Sequence, residues 1–452
     1  MPFRGEFRQL VTIAVPVVIV QVGMMFMGVV DTLMVGHVSA SALAAAALGN
    51  LYFYNVIVVA MGTVMALDPI VSQAVGANDE VAVTRGVQRG VILAVVMGVP
   101  TMLLMLTAGP VFTAFGQPAG VVPDATAFAH ISALGVIPFL LFIVFRQVLQ
   151  AVARLTPVVW TIIGANALNA GLNWVFIYGH LGSPPLGVRG SAIATVASRL
   201  SMALMLLALS WPHLRRYLMH FDRASFDLAP LGRMLALGLP IGFQQFLEIS
   251  AFGTIGLLTG KFGAEQVAAY QIALNMAALT FMVPLGVSAA ASVRVGNAVG
   301  AGDAPRSRVA ARQAYLLGIG FMSTTAILFL TLPEQLAGLY TRDATVIAIA
   351  GLLVPIAGVF QIFDGMQAVG AGVLRGLGDT RVPLVAMLTG YWLIGVPVSV
   401  WLGFYTNLGS VGLWWGFVAG LASVALFLLI RVRVMFARGV RRVVIDTGAT
   451  AD

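Results

Sequence analysis

The chain of 452 residues contains no cysteine and little charge, since Asp, Glu, Lys and Arg together make up 9% of it. The missing thiols exclude disulfides, thiol catalysis and cysteine-bound metal, without fixing a compartment. Soluble domains carry roughly 25% charged residues, so the shortage of charge excludes a soluble globular protein. The five histidines, His37, His130, His180, His213 and His220, are scattered and form no HExxH pair, which leaves zinc chemistry without ligands. No GxxxxGK[ST] loop occurs, because Ile255 stands where a glycine is required ahead of Gly260-Lys261 and Phe262 follows. ATP is therefore not expected as the energy source. The GxSxG elbow of a serine hydrolase is also missing, and an enzyme is not expected.

What fills the chain instead is apolar: hydrophobic residues make up 60%, and the mean hydropathy is +0.97. A bilayer span needs about 20 apolar residues. Runs of that kind are expected near 10–35, 47–70, 91–112, 125–150, 158–180, 187–209, 233–260, 266–292, 313–333, 344–372, 383–405 and 409–431. Strands of a membrane barrel would show alternating segments of about ten residues. These continuous runs predict an all-α integral membrane protein with 12 transmembrane helices. The first run follows Arg4 and Arg8 and precedes Ser39-Ala40-Ser41-Ala42, as in a signal peptide. It is longer than the apolar region of such a peptide, about 7–15 residues, and is read as a span.

Threading the spans alternately from a cytoplasmic N-terminus puts 21 of the 25 basic residues on the cytoplasmic side. The outer side keeps Arg189, Lys261 and Arg342, while Arg199 falls inside the sixth run. That bias predicts both termini in the cytoplasm and a multi-pass protein of the cell inner (plasma) membrane. The net charge of +8 is thus a topology signal, and nucleic acid is not an expected partner.

Sliding the sequence on itself by 224 residues pairs Pro16 with Pro240, Gln21 with Gln245, Gly36 with Gly260 and Gly62 with Gly286. It also lays Ala74-Val75-Gly76-Ala77 on Ala298-Val299-Gly300-Ala301, and Asp79 on Asp303. At an offset of 222, Leu186-Gly187 and Gly190 meet Leu408-Gly409 and Gly412. Each half then holds six helices, and because six is even the halves enter the membrane from the same side. Parallel repeats of this kind are transporter architecture. The expected domains are an N-terminal lobe over 1–209, a cytoplasmic linker over 210–232, a C-terminal lobe over 233–432 and a basic tail over 433–452. A connection of that length permits rocking of the lobes. Spacings such as Gly238xxxGly242, Gly256xxxGly260 and Gly412xxxGly416xxxGly420 predict close helix packing. Pro16 and Pro240 predict a bend in helices 1 and 7.

An ionised side chain at mid-bilayer costs at least about 2.5–3.5 kcal/mol, so acids within spans need a reason. Glu248 shares a helical face with Gln244 and Gln245, and Asp364 lies among Phe360, Gln361 and Gln367. Two carboxylates with amide oxygens suit a small cation or a proton. The plainer reading is a neutral carboxyl bonded to a neighbouring helix. Asp31 is matched by Asn166, Asn169 and Asn173, which share one face of helix 5 and predict a second polar pocket. Met24, Met25, Met27 and Met34 surround Asp31 as packing or as a flexible lining. Asp68, beside Pro69 at the end of helix 2, is expected to reach water or Arg85 and to be structural.

These residues resemble the multidrug and toxic compound extrusion (MATE) transporters, in the NorM-like bacterial branch. The likeness rests on Val30-Asp31-Thr32-Leu33-Met34-Val35-Gly36, on Ala66-Leu67-Asp68-Pro69, on Gln73-Ala74-Val75-Gly76-Ala77, on Gln244-Gln245-Phe246-Leu247-Glu248 and on Gly376-Leu377-Gly378-Asp379-Thr380. It implies a V-shaped bundle of two six-helix lobes and a secondary antiporter without a cofactor. Amphipathic, often cationic organic compounds and drugs would be exported in exchange for Na+ or H+. Glu248 and Asp364 would couple the cation, with Na+ held there if sodium is the ion. Asp31, Asn169 and Asn173 would form a cavity for protonation or substrate contact. Gln244, Gln245, Phe360, Gln361 and Met27 would line the path. Relatives often carry a tyrosine where Phe360 stands, so that hydroxyl is missing here. A monomer in the lipid bilayer is expected. The alternative, a flippase for lipid-linked precursors, would present a basic cavity, whereas the deep charge is acidic apart from Arg199.

Overall fold

The computed structural model describes residues 2–446, with side chains from residue 5 onward. The end of the expected basic tail, residues 447–452, and the side chain of Arg4 lie outside the described residues. The spans are α1 (Pro2–Gly36), α2 (Ala40–Gly76), α3 (Glu80–Met105), α4 (Val122–Ala133 with Val136–Ala151), α5 (Thr156–Tyr178) and α6 (Val188–Leu218). They continue as α7 (Leu228–Thr259), α8 (Ala264–Gly300), α9 (Ala304–Thr331), α10 (Ala344–Gly376), α11 (Arg381–Phe404) and α12 (Ser410–Arg438). No strand occurs among the described residues.

Ten of these helices are long and apolar enough to cross a membrane alone, and the two arms of α4, bent by 48°, make one broken span. The twelfth, α5, is held to a lower hydropathy by Asn166, Asn169 and Asn173. Several helices outrun the apolar runs of the sequence. For example, α2 ends at Gly76 rather than near 70, α3 begins at Glu80 rather than near 91, and α6 continues to Leu218 rather than 209. Hydropathy marks only the lipid-facing part of a helix, whereas its hydrogen-bond ladder continues into polar ends that carry Arg85, Arg89, Arg215 and Arg216. In consequence Asp68 lies within α2, buried at 2% exposure, instead of at a wet helix end. Arg85 pairs with Asp222 and Asp446, not with Asp68, and the basic group in electrostatic reach of Asp68 is Arg146.

The repeat extends to backbone conformation. Both α2 and α8 are 37 residues long. Asn78 and Gly302 follow them at positive φ, 55° and 71°. Asp79 and Asp303 then cap α3 and α9, each side chain accepting from the amide three residues on. Such caps stabilise a helix start by about 1 kcal/mol. The later block repeats as well, with Gly187 at φ 55°, ψ −124° and Gly409 at φ 54°, ψ −131°.

Two compact units form. Among the described residues, the C-terminal unit holds those up to Val18, Gly76–Asn78 and Phe243–Val443. The N-terminal unit holds Ile19–Val75, Asp79–Gly242 and the residues from Val444. Membership changes within α1 after Val18 and within α7 after Gly242, each two residues past the repeat-related Pro16 and Pro240. Both helices run unbroken through those prolines.

Residues 210–232 are ordered against the N-terminal unit rather than extended as a free connection. Helix α6 occupies them to Leu218, Arg223–Phe226 form a 3-10 turn, and α7 begins at Leu228. The side-chain amide of Gln88 donates to the carbonyls of Tyr217 and His220 at 2.8 Å. Its oxygen accepts from Asp222 N and Ser225 Oγ. Arg89 donates to Ala224 O and to Asp446. Hydrogen bonding to the Arg85 guanidinium holds the Asp222 carboxyl below the usual carboxylate range. That contact is therefore present at neutral pH and is lost only as the pH falls through the lowered value.

Glycine sets the closest approaches. A Cβ on Gly238 or Gly242 would lie 2.1 Å from Thr63 O or 2.3 Å from Val59 O, so α7 meets α2 backbone to backbone in the N-terminal unit. In the C-terminal unit, a Cβ on Gly412, Gly416 or Gly420 would lie 2.4, 2.2 and 2.6 Å from the α11 backbone. The Gly256xxxGly260 pair makes no such crossing, because Gly256 faces the Tyr270 ring at 3.2 Å and Gly260 only Val267 at 3.9 Å. Overpacking a tight contact costs about 1–3 kcal/mol. Gly416→Val is expected to lower the melting temperature of the purified protein, whereas Gly320→Ala, with nothing within 4 Å, leaves it nearly unchanged. Equal melting of the two variants would contradict this packing.

Candidate functional site: two buried acid clusters

In the N-terminal unit Asp31 is 5% exposed on α1, and α5 brings Asn169 and Asn173 to it, both fully buried. Asn173 Nδ2 donates to Asp31 Oδ1 at 2.6 Å and to Asn169 Oδ1 at 3.2 Å. The other carboxyl oxygen accepts from Thr195 Oγ1 of α6 at 3.1 Å. Three helices thus converge on one carboxyl group. Asn166, on the same face of α5, goes elsewhere: its amide donates to Gly23 O of α1 at 3.0 Å. A Cβ at Gly23 would meet the Ile162 side chain at 2.2 Å, so this bond sits at a tight contact between α1 and α5. Met27 is buried beside the cluster at 8% exposure.

One turn beyond Thr195, Arg199 is buried at 5% exposure. Its guanidinium carbon lies 3.6 Å from the Phe53 ring centre and 5.7 Å from that of Phe139. A desolvated contact of that type contributes about 2 kcal/mol.

In the C-terminal unit Glu248 of α7 is half-buried and Asp364 of α10 is 4% exposed. The two carboxyl groups are near enough to interact electrostatically. Gln367, one turn from Asp364, hydrogen-bonds Glu248. A third helix contributes the hydroxyl of Tyr391, which donates to Glu248 Oε1 at 3.5 Å. Tyr391 sits in a π-helical stretch of α11, Leu388–Gly395. Inserts of this kind are rare and re-aim side chains at functional sites. The same stretch lets Trp392 Nε1 donate to Leu247 O at 3.2 Å, holding α11 against α7.

The surrounding residues divide into polar and apolar sides. Gln361 accepts from Thr280 Oγ1 of α8 at 2.6 Å and from Thr325 Oγ1 of α9 at 3.0 Å. Phe360 is 1% exposed and packs on Phe252, Trp414 and Phe417, giving the acids an apolar floor. Gln244 is buried and donates to Thr380 O at 2.7 Å, tying α7 to the turn between α10 and α11. Gln245 stays half-buried next to it. Two carboxylates, a phenolic oxygen and an amide form a hard-oxygen set that suits Na+ or a shared proton. Among the described residues no three His, Asp or Glu side chains cluster as a metal site.

Tyr391, Thr195, Thr280, Thr325 and the placement of Arg199 are absent from the sequence-level picture. Hydroxyl residues are common in apolar helices, and no spacing singles these out. The acids, the asparagines and the glutamines are placed near one another as their helical faces predict, except that Asn166 and Gln244 bond to backbone.

A family model described as MatE matches the chain twice, over residues 16–175 and 240–401, once per repeat. The multidrug resistance protein NorM of Burkholderia vietnamiensis is 37% identical over 408 residues, which cover 88% of each chain. A probable multidrug resistance protein NorM of Rhizobium meliloti is 37% identical over 425 residues, covering 90% of this chain and 91% of that protein. The crystal structure of the eukaryotic MATE transporter AtDTX14 shares the fold, with a TM-score of 0.88 at 23% identity over 97% of this chain and 98% of that one.

Leaving a buried acceptor unmet costs about 1–3 kcal/mol, and more for a charged group. Asn173→Ala, which strips Asp31 of its 2.6 Å donor, is expected to lower thermal stability by about that amount. A melting curve matching wild type would show that the Asn173 bond carries no weight.

Proposed function

The chain belongs to the MATE family of multidrug transporters, and on that premise we propose that it is a secondary antiporter. It exports amphipathic, often cationic compounds in exchange for Na+ or H+ by alternating access. The observation that carries the reading is the pair Glu248 and Asp364, two acids at membrane depth interacting in the C-terminal unit, with Tyr391 and Gln367 bonded to Glu248. Among the described residues no basic group adjoins them. The relatives' names favour drug efflux over flipping of lipid-linked precursors, and the buried acid pair agrees with that choice.

In mechanism, a cation arriving from outside binds between Glu248 and Asp364 and cancels their repulsion. The packing of α7 against α10 and α11 then shifts, because Tyr391 and Trp392 tie the π-helical stretch to Glu248 and Leu247. A cationic substrate loses affinity when the acids are occupied, so binding of one ligand opposes binding of the other. Each charge moved inward contributes about 2.3 kcal/mol per 100 mV. The N-terminal pocket of Asp31, Asn169 and Asn173 contributes substrate contact or a protonation step. Both termini are placed in the cytoplasm, on the side that carries the arginines.

Glu248→Gln and Asp364→Asn are each expected to abolish efflux of a fluorescent organic cation from cells while the protein still reaches the membrane. Wild-type efflux in both variants would sink the proposal. In proteoliposomes, efflux driven by a sodium gradient with the pH gradient collapsed, compared with the reverse, identifies the coupling ion. Failure of both gradients to drive efflux would reject secondary antiport.

A further inference from the structure

Apart from the short Gly76–Asn78 segment, the chain passes between the two units within the unbroken helices α1 and α7, and once more after α12. No helix carries that last passage. Gly439, at φ 84°, ends α12, and the described residues beyond it are non-helical. Val443 still belongs to the C-terminal unit, whereas the residues from Val444 to Asp446 belong to the N-terminal one. Ile445 is buried at 7% exposure, and Val444 before it is 52% exposed.

What receives this segment is a pair of arginines on α3. Arg89 is 1% exposed, and its guanidinium stays charged at any pH a protein meets. A buried charge left without a counter-ion is strongly destabilising. Arg89 Nη2 donates to Asp446 Oδ1 at 2.7 Å and to Ala224 O at 2.8 Å. One turn earlier, Arg85 has Nη1 3.7 Å from Asp446 Oδ2 and Nε 2.8 Å from Asp222 Oδ2. Asp222 follows α6 and Asp446 follows α12, and they stand 224 residues apart, the offset of the repeat. Both acids nevertheless come to α3. The positions of α9 that correspond to Arg85 and Arg89 are Val309 and Gln313, so the C-terminal unit offers no such pair of bases there. The anchor can also come apart. The Asp446 side chain keeps 23% of its surface exposed, so water reaches it, and Asp222 stays in electrostatic reach of Arg89 when Asp446 leaves.

We propose that Val444–Asp446 is a detachable strap, which ties the chain leaving α12 to the N-terminal unit by seating Asp446 on Arg89 and Arg85. A link pinned on both units limits how far the halves can rock, so the strap docks in one state of the cycle and lets go in the other. Arg89 draws it back, because Asp446 is the carboxylate that meets its guanidinium directly. The part of the strap in transport rests on the efflux reading; its anchoring and release are readable in the purified protein without transport.

The chain has no cysteine, so Val81→Cys on α3 and Val444→Cys on the strap, 60% and 52% exposed in the native protein, give a clean pair of spin-label sites. Electron paramagnetic resonance on the whole protein in nanodiscs then reads the distances between the two labels. With Asp446 intact, a narrow docked population is expected beside a broad released one. Asp446→Asn, and Asp446→Lys as a second variant that repels both arginines, should show the released population alone, and Asp446→Glu should restore docking. A docked population that survives both Asn and Lys overturns the anchoring, and the absence of a released population with Asp446 intact overturns the release. In proteoliposomes, clamping the same two cysteines with a short reducible cross-linker should bring efflux of a fluorescent organic cation down to the level of protein-free liposomes, and reduction should restore it. Undiminished efflux with the strap clamped also overturns the release. A cysteine pair that exports nothing before clamping, while a docked and a released population are both seen, counts against the efflux reading and leaves the strap established.

Discussion

Water is absent at mid-bilayer, so polar groups carried there gain most by finding partners inside the protein, and much of the arrangement of this chain follows from that pressure. Backbone groups meet it by forming long helices, and side chains meet it by convergence. Asp31 is bonded by Asn173 and Thr195 from two neighbouring helices. Gln361 takes the hydroxyls of Thr280 and Thr325 from two others. Even Asn166 and Gln244 obey the rule, by donating to the carbonyls of Gly23 and Thr380. These bonds lie between helices, so the polar residues also fix which helices are neighbours. Glycine then sets how near they come, as at Gly416 against Ser399 and at Gly242 against Val59.

The two repeats share a backbone and part in chemistry. Their caps at Asp79 and Asp303 and their positive-φ residues at Asn78 and Gly302 match. The acids do not: at the offset of 224, Glu248 corresponds to Met24 and Asp31 to Ile255. The helix that faces each acid differs in kind as well. In the N-terminal unit α5 is a regular helix bearing a row of asparagines, whereas α11 contains a π-helical stretch that brings Tyr391 to Glu248. One scaffold thus holds an acid closely bonded to neutral amides in one unit and a mutually repelling pair in the other. On the reading proposed above, the second is the better ion site, because repulsion between two acids is what a bound cation relieves.

Much of this was legible from the residues. The twelve spans follow from hydropathy, and the parallel repeat from identities such as Pro16 with Pro240. The two acid clusters follow from helical spacing, since Gln361, Asp364 and Gln367 must share a face. What spacing could not resolve was the partner on the next helix. Asn166 lies on the face of Asn169 and Asn173, yet it bonds to backbone at Gly23, because at that level α1 comes too close for a pocket. Asp68 was expected at a wet helix end and is buried, because α2 continues a further turn and more on polar residues that hydropathy does not count. Tyr391 carried no signal, being one aromatic residue in an apolar run.

By itself the sequence determined that the protein is a helical membrane protein, that it consists of two parallel halves, and that acids lie where lipid would forbid them. These are properties of composition, of periodicity and of identity between the halves, and each is visible before any helix is packed on another. Only the tertiary structure decided that Tyr391 meets Glu248, that Thr195 completes the Asp31 cluster, that residues 210–232 are docked on Gln88 and Arg89, and that Arg199 lies on the Phe53 ring. The physical reason is that a helix's period states which residues share a face, whereas the neighbour that face meets depends on how several helices pack together.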